Sequence, residues 1–471
     1  MELVFLALLF VLMMYALGSG FPVAFALPGS AIVTIALAGF TGYLIEGDSS
    51  AYFIQDGPIE WLTAGVINFR GIYWEVERDT LIAIPLFIFM GIMLQRSKIA
   101  EDLLVTMAQL FGPVPGGLGI SVIIVGALLA ASTGIVGATV VTMGLLSLPV
   151  MLKQKYDIKI ATGTILASGT LGQIIPPSII LILLGDVISS SYQEAQNMLG
   201  IFSQDSVSVG DLFAGAIFPG LILVGFYITY ILYISNFKKH LIPDQKLERH
   251  FNLKEIILSL YSPLFLIFIV LGSIILGVAT PTEASSLGAI GASLLAFINR
   301  RLDLHILKDV LIKTSKITSM IFILLIGATI FSLVFRGLEG DIFINSALSS
   351  IPGDVYVKLA VVMLAIFLLG FILDFIEITY VVIPVVAPIL LSMGLDPIWL
   401  GILIAINLQT SFLTPPFGFA IFYLKSVIPK EVETVDIYKG VIPFIIIQIL
   451  TIILIVLVPE ITTWLPNKIF N

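Results

Sequence analysis

Long apolar runs, each closed by a short charged stretch, alternate along almost the whole chain. The longest, 103–152, holds fifty residues without an ionisable side chain, whereas one helix crosses a bilayer in about 20. Further uncharged runs occupy 160–185, 212–237, 284–299, 317–335, 397–424 and 440–459. The pattern predicts roughly ten to twelve membrane segments, some of them not full crossings. Hydrocarbon offers the backbone no hydrogen-bond partner, so such segments are helical. The expected fold class is an all-α polytopic membrane protein. The apolar N-terminus lacks a basic leader region and reads as a retained first helix.

The charged stretches orient these segments, because Lys and Arg collect on the cytoplasmic side. Lys238, Lys239, Lys246, Arg249 and Lys254 mark one basic stretch, Arg300, Arg301, Lys308, Lys313 and Lys316 a second, and Lys153, Lys155 and Lys159 a third. All three are placed inside. The acidic stretches 43–60 and 186–211 carry no Lys or Arg and are placed outside, together with 336–354. These placements agree only if 117–151 and 355–391 each begin and end on one side, as re-entrant hairpins. They also put the N-terminus outside.

The polar and proline positions repeat. Pro149 precedes Pro176 by 27 residues, and Pro388 precedes Pro415 by 27. At the same offset of 239, Tyr156-Asp157-Ile158 answers Leu395-Asp396-Pro397, and Ile175-Pro176-Pro177 answers Thr414-Pro415-Pro416. Pro22 to Gly29 has the spacing of Pro281 to Gly288. Two halves, about 1–240 and 256–471, are therefore joined by a basic linker. The charge pattern runs 160–185 inside to outside but 397–424 outside to inside, so the halves are inverted. Inverted repeats with interrupted helices are a pattern of secondary transporters.

Composition narrows the class further. Charged residues make up 11% of the chain and hydrophobic ones 58%, with a mean hydropathy of +1.11; soluble domains carry about 25% charged residues. The net charge of −8 argues against nucleic acid as a partner. Absence of cysteine excludes disulfides and thiol catalysis. His240, His250 and His305 lie in charged connections and read as solvated. No His/Asp/Glu cluster has metal spacing and no Ser/His pair falls in the membrane, so an enzyme is not expected. The Pro113-Val114-Pro115-Gly116-Gly117 stretch reads as a turn; no Gly-Lys-Ser/Thr follows to make a phosphate cradle. Energy must then come from a gradient or a partner.

The double prolines carry the most specific chemistry. Proline has no N–H and frees the carbonyl four residues earlier in a helix. Pro176 would release Gly172 and Pro177 would release Gln173; Pro415 would release Ser411 and Pro416 would release Phe412. In hydrocarbon such oxygens need a partner, and a bound Na⁺ is one solution. The other is a structural kink patched by Ser178, Thr414 or water. The hairpins have small or polar tips: Ser132-Thr133-Gly134 continuing to Gly137-Ala138-Thr139, and Gly370 followed by Asp374-Phe375-Ile376-Glu377. Asp374 and Glu377 lie between apolar runs and read either as proton carriers or as groups fixing the hairpin. Glu283, three residues after Thr280 and just past Pro281, reads as a helix-start cap.

The stretch Ile84-Pro85-Leu86-Phe87-Ile88-Phe89-Met90-Gly91, the Pro115-Gly116-Gly117 turn, Gly172-Gln173-Ile174-Ile175-Pro176-Pro177-Ser178, Ala279-Thr280-Pro281-Thr282-Glu283-Ala284 and Thr414-Pro415-Pro416-Phe417-Gly418 together resemble the large membrane subunit of tripartite ATP-independent periplasmic (TRAP) transporters. The resemblance spans nearly the whole chain. It implies an inverted-repeat elevator fold with two re-entrant hairpins and two broken helices. A scaffold (1–80 and 257–316) would brace a moving unit (81–235 and 317–471), with 236–256 as cytoplasmic linker. It implies two Na⁺ sites, one joining the Ser132-Thr133 region to Gly172, Ile175 and Pro176, the other joining the Gly370 region to Ser411 and Thr414. The organic acid would sit between them, near Ser132, Thr133, Gly134, Ser178, Asp374 and Pro416. Implied partners are a small four-helix membrane subunit and a periplasmic substrate-binding protein. The first tip lacks a Ser-Gly-Ser-type turn and resembles the branch named for mannitol and chloroaromatic compounds, whose members often move keto acids or lactate-like acids; Glu377 is outside the general motif. The segment 61–74, bounded by Trp61 and Trp74, is expected to be an interfacial arm. A single-chain ion-coupled carboxylate symporter or Na⁺/H⁺ antiporter is the alternative reading; a channel fits less well, since paired half-gates suit alternating access.

Overall fold

The computed structural model describes residues 1–53, 80–242, 253–429 and 432–470. The segment 61–74, the linker residues 243–252 and His250 lie outside the described residues. Among those described every regular element is helical. Among the described residues six helices are long and apolar enough to cross a membrane, seven if one bent pair counts as a span, and five shorter helices are also apolar. The apolar runs are thus all found as helices, but many are halves of hairpins or of interrupted spans.

The first half runs α1 (Glu2–Gly18), α2 (Val23–Glu46), α3 (Thr80–Arg96), α4 (Ile99–Phe111), α5 (Gly117–Thr133), α6 (Val136–Lys153), α7 (Ile158–Thr170), α8 (Ile179–Met198) and α9 (Val209–Phe237). The second runs α10 (Leu253–Ile275), α11 (Pro281–Ile298), α12 (Leu304–Gly337), α13 (Gly340–Ser350), α14 (Val355–Leu369), α15 (Phe375–Ser392), α16 (Pro397–Leu413), α17 (Phe419–Lys425), α18 (Thr434–Leu457) and the terminal α19 (Glu460–Phe470). The halves match in order. Each has a long helix turning at an elbow into a short one (α3 into α4, α12 into α13), then a hairpin, an interrupted helix and a closing helix. At both elbows a non-glycine residue takes the left-handed conformation, Lys98 at φ 56° and Glu339 at φ 59°.

Local chemistry sets these boundaries. Asp157 caps α7 by accepting from the Lys159 N–H at 2.9 Å, and Asp396 caps α16 by accepting from Trp399 at 2.8 Å, which explains the repeated Asp found in the sequence. At the start of α11, Thr280 and Glu283 form the reciprocal capping box expected there, with Glu283 accepting from the Thr280 N–H at 2.8 Å. The Pro113–Gly117 turn is present, with the Gly117 N–H bonded to Val114 O at 2.8 Å. His240 and His305 are exposed.

The interrupted helices form the centre. Every residue of α7 from Ile160 and of α16 from Ile398 is buried, as expected of helices with no polar face. Small residues let neighbours approach. A methyl on Gly163 would lie 2.1 Å from the Gly440 carbonyl oxygen, and one on Gly440 would lie 2.3 Å from Lys159 O, which presses α7 onto α18. Gly401 faces Leu212 and Gly215 faces Ile398, joining α16 to α9. The Gln409 side chain donates to Thr170 Oγ1 at 3.5 Å, across 239 residues. That separation is the repeat offset, so two equivalent positions touch each other. Equivalent positions meet only beside the pseudo-two-fold axis, which therefore passes between α7 and α16.

Around this centre α2 packs on α12, with Gly327 against Pro28, and α3 packs on α11, with Gly288 against Met90. The division expected at 316/317 falls inside the single helix α12, and α3, expected with the moving unit from residue 81, lies against α11. Because Gly440 is in direct contact with the α7 backbone, Gly440→Val should lower stability by about 1–3 kcal/mol through overpacking, visible as a lower thermal unfolding midpoint of the purified protein.

Candidate functional site

The first interruption is assembled from α7, α8 and the hairpin α5–α6. After Thr170 the chain tightens into a 3₁₀ turn, Leu171–Gln173, and becomes helical again only at Ile179. The Ile174 and Ile175 N–H groups both go to Leu171 O, at 3.1 and 2.9 Å, and Pro176 has none, so none of the three reaches the Gly172 carbonyl. The Gln173 carbonyl, also expected to be free, accepts from Ser178 Oγ at 2.9 Å. Ser178 is thus the patch on one of the two released oxygens. Gly172, Pro176, Pro177 and Ser178 are buried and Ile175 is half-buried.

The hairpin closes over this break. Gly134 turns the chain in the left-handed conformation at φ 59°, its N–H on Ala130 O at 2.9 Å, a conformation that glycine adopts without penalty. A methyl on Gly134 would stand 3.1 Å from the Ile179 nitrogen, and one on Gly172 would stand 3.6 Å from Ala130. The tip therefore meets both lips of its own break. The side chains of Ser132 and Thr133 lie outside the described residues, so their expected roles have no geometry attached.

The second interruption lies between α16 and α17. Thr414 donates its N–H to Ser411 O at 3.1 Å and its hydroxyl to Thr410 O at 2.7 Å, so the Ser411 oxygen expected to be free has a partner. The Gly370 tip presses on Ser411: a methyl there would fall 2.2 Å from Ser411 Oγ. Phe412 packs at a steep angle against Phe375 of the hairpin and edge-on against Phe419 of α17, with ring centres 6.2 and 5.3 Å away. Tyr438 donates to Pro416 O at 3.2 Å. Unlike the first break, this one is open, with Pro416 and Phe417 exposed. Pro176-Pro177 and Pro415-Pro416 are both cis.

Asp374 and Glu377 form a capping box at the start of α15. Asp374 accepts from the Phe375 N–H at 2.7 Å, and Glu377 accepts from the Asp374 N–H at 2.9 Å. The geometry is that of groups fixing the hairpin. Asp374 is half-buried, whereas Glu377 is 4% exposed.

The structure brings Gly134 and Gly172 together on one break and Gly370, Ser411 and Thr414 on the other; Glu283 stands apart, at the head of α11. Two side chains without a role assigned from sequence also belong here. Gln173 is fully buried with both amide atoms unpartnered, and Gln409 Oε1 is likewise unpartnered. Their signal was present: Gln409 is a polar residue in an uncharged run, at the repeat offset from Thr170. Among the described residues no group of three or more His, Cys, Asp or Glu side chains is arranged to hold a metal.

Two reciprocally packed halves, each with a hairpin tip pressed on an interrupted helix, define a multi-pass membrane transporter fold. A solved structure, the Alcanivorax borkumensis YdaH transporter, shares it with a TM-score of 0.63 at 13% identity, over 88% of this chain and 90% of that one. The chain is 30% identical to a putative TRAP transporter large permease protein of Haemophilus influenzae, over 81% of this chain and 90% of the relative. It is 29% identical to the C4-dicarboxylate TRAP transporter large permease protein DctM of Rhodobacter capsulatus, over 84% of this chain and 89% of the relative. Residues 6–461 match the family described as the DctM component of the tripartite ATP-independent periplasmic transporter, and the chain belongs to that family.

The capping geometry separates structural from proton-carrying roles for Asp374. Asn caps a helix as well as Asp, whereas Ala costs about 1 kcal/mol. Asp374→Asn should therefore keep the parent's unfolding midpoint and the pH dependence of its transport, while Asp374→Ala lowers the midpoint; a pH profile flattened in Asp374→Asn would instead make the acid a proton carrier.

Proposed function

We propose that this chain is the transport subunit of a Na⁺-driven system that takes a small organic acid across the inner membrane of its cell, with its N-terminus outside. The observation that carries the reading is the first break: a buried peptide oxygen, Gly172 O, which the break's own N–H groups leave unbonded, closed over by a glycine hairpin tip. An oxygen in that position gains most from a small hard cation, and the unpartnered Gln173 amide beside it adds a further oxygen to a site without carboxylates. The repeat supplies a second position of the same design at Gly370, Ser411 and Thr414. There the cation would have to compete with the Thr414 N–H for Ser411 O, so the two Na⁺ positions differ.

The acid would bind between the two tips, on the Pro416 side where the second break is open, with Ser178 and the Asp374 turn as its walls. Movement would be that of an elevator. The frame α1–α3 with α10–α12 stays fixed, while the hairpins, interrupted helices, α9 and α18 slide as one body. Tripartite membership supports two partners, a small four-helix membrane subunit and a periplasmic binding protein that delivers the acid. The Ser132-Thr133-Gly134 tip supports the branch named for mannitol and chloroaromatic compounds and, with it, a keto- or hydroxy-monocarboxylate.

In liposomes holding the subunit with both partners, uptake of a panel of such acids should follow an imposed inward Na⁺ gradient and vanish when K⁺ replaces Na⁺. Uptake indifferent to that exchange would overturn the coupling. Pro176→Ala restores an N–H aimed at Gly172 O and should raise the half-saturating Na⁺ concentration roughly ten- to a hundredfold. Pro177→Ala, which addresses the oxygen already held by Ser178, should leave it nearly unchanged.

A further inference from the structure

The outer end of α12 carries a contact of a different kind from the rest. Arg336 reaches Glu194 of α8 at 3.1 Å, and the same nitrogen approaches the Pro384 carbonyl of α15 at 3.5 Å. One side chain of the frame thus touches both halves of the hairpin-bearing body. The other ion pairs between elements among the described residues stay within a unit or its elbow. Arg96–Asp309 joins α3 to α12 at 2.8 Å, Arg301–Asp102 ties the turn before α12 to α4 at 2.7 Å, and Lys159–Asp436 joins α7 to α18 at 3.8 Å.

The site is also loosely filled. Cavities of about 190 and 140 Å³ flank the pair; the first lies between α8, α12 and α15 and is lined by the hydroxyls of Ser190, Thr329 and Ser332. Both charged side chains keep about a third of their surface exposed, so water can take over either group when they part. Pro384 lies just after the π-type turn Ile378–Val382, where α15 is locally widened.

The repeat repeats the contact. Arg336 lies three residues before the left-handed Glu339 at the α12 elbow, and Gln95 lies three residues before the left-handed Lys98 at the α3 elbow. Gln95 donates to Thr142 on the second arm of hairpin α5–α6, as Arg336 does to the second arm of the other hairpin. The same elbow position in both halves therefore tethers frame to hairpin, once through a neutral bond and once through an ion pair.

We propose that Arg336 is a releasable catch. Bridging Glu194 and Pro384, it holds the hairpin-bearing body against the frame in the arrangement seen here and must let go before that body can slide, with Gln95–Thr142 as its weaker counterpart. The proposal rests on the elevator reading above.

The chain has no cysteine, so Phe202→Cys after α8 and Leu276→Cys after α10, both exposed, give one spin label on each unit of the full-length protein in nanodiscs. Distance distributions with and without Na⁺ should show two populations in the labelled parent. Arg336→Gln and Glu194→Gln should each shift their ratio in the same direction by about two- to fivefold, as befits a part-exposed pair. Gln95→Ala should give a smaller shift in that direction. The exchanged pair Arg336→Glu with Glu194→Arg should move the ratio back toward the parent, and the unfolding midpoint should stay constant throughout. Unchanged ratios in both single variants, or a shift in Arg336→Gln that Glu194→Gln does not share, would overturn the catch while leaving sliding intact. One population in the parent and every variant, whatever the Na⁺, would overturn sliding and the catch together.

Discussion

A peptide carbonyl in the middle of a bilayer must find a partner inside the protein, and the arrangement of this chain follows from that constraint. A helix can be interrupted at mid-membrane only where it is wrapped by other helices. Both interrupted helices accordingly lie at the centre, buried on all sides along α7 and α16. Their walls are built for close approach: Gly163 and Gly440 bring α7 to α18, and Gly215 and Gly401 bring α9 to α16. The hairpins need glycine at their tips for the same reason, since any larger residue at Gly370 would collide with Ser411. Glycine position, helix packing and the opening of the breaks are one solution to one problem.

The two halves meet the constraint differently. In the first break the Ser178 hydroxyl holds one released carbonyl and the break's own N–H groups do not reach the other; in the second the Thr414 N–H folds back onto Ser411 O. The first is closed and the second exposes Pro416 and Phe417. Two copies of one design therefore sit in unequal surroundings, and the pseudo-two-fold axis marked by the Thr170–Gln409 contact relates sequence and fold but not solvent access.

Much of this was legible in the sequence because it is local. Apolar runs located the helices, the repeated Asp157 and Asp396 marked helix starts that prove to be side-chain caps, and the double prolines marked the breaks. Thr280 and Glu283 announced their capping box by spacing alone. What escaped the sequence depends on tertiary placement. Whether a freed carbonyl finds a donor turns on how the chain folds back, which distinguishes Gly172 from Ser411 despite equivalent positions. The continuity of α12 across 316/317 was hidden because the basic residues Lys308 to Lys316, read as a loop, lie at the start of a helix of 34 residues, longer than the roughly 20 that a crossing needs. The Asp374–Glu377 pair stayed open between carrying protons and fixing the hairpin, because hydropathy does not reveal that a hairpin's second arm starts there.

The distribution of ion pairs follows from the same solvent argument. A charge pair within hydrocarbon is expensive unless fully satisfied, so the pairs that join elements gather at the ends of helices: Arg96 and Asp102 at the α3–α4 elbow, Arg301 and Asp309 around the start of α12, Arg336 at its far end. In that zone water weakens each of them. Weakness is a fault in a pair that must hold a frame together, and there the pairs come in a group around one elbow, with Arg301 also donating to Ser97 O at 3.0 Å. It is a virtue in a pair that crosses from frame to moving body, where a strong bond would fix the body in one place. Among the described residues the one ion pair that joins the proposed frame to the proposed moving body is about one-third exposed and flanked by cavities, in keeping with the releasable catch proposed above.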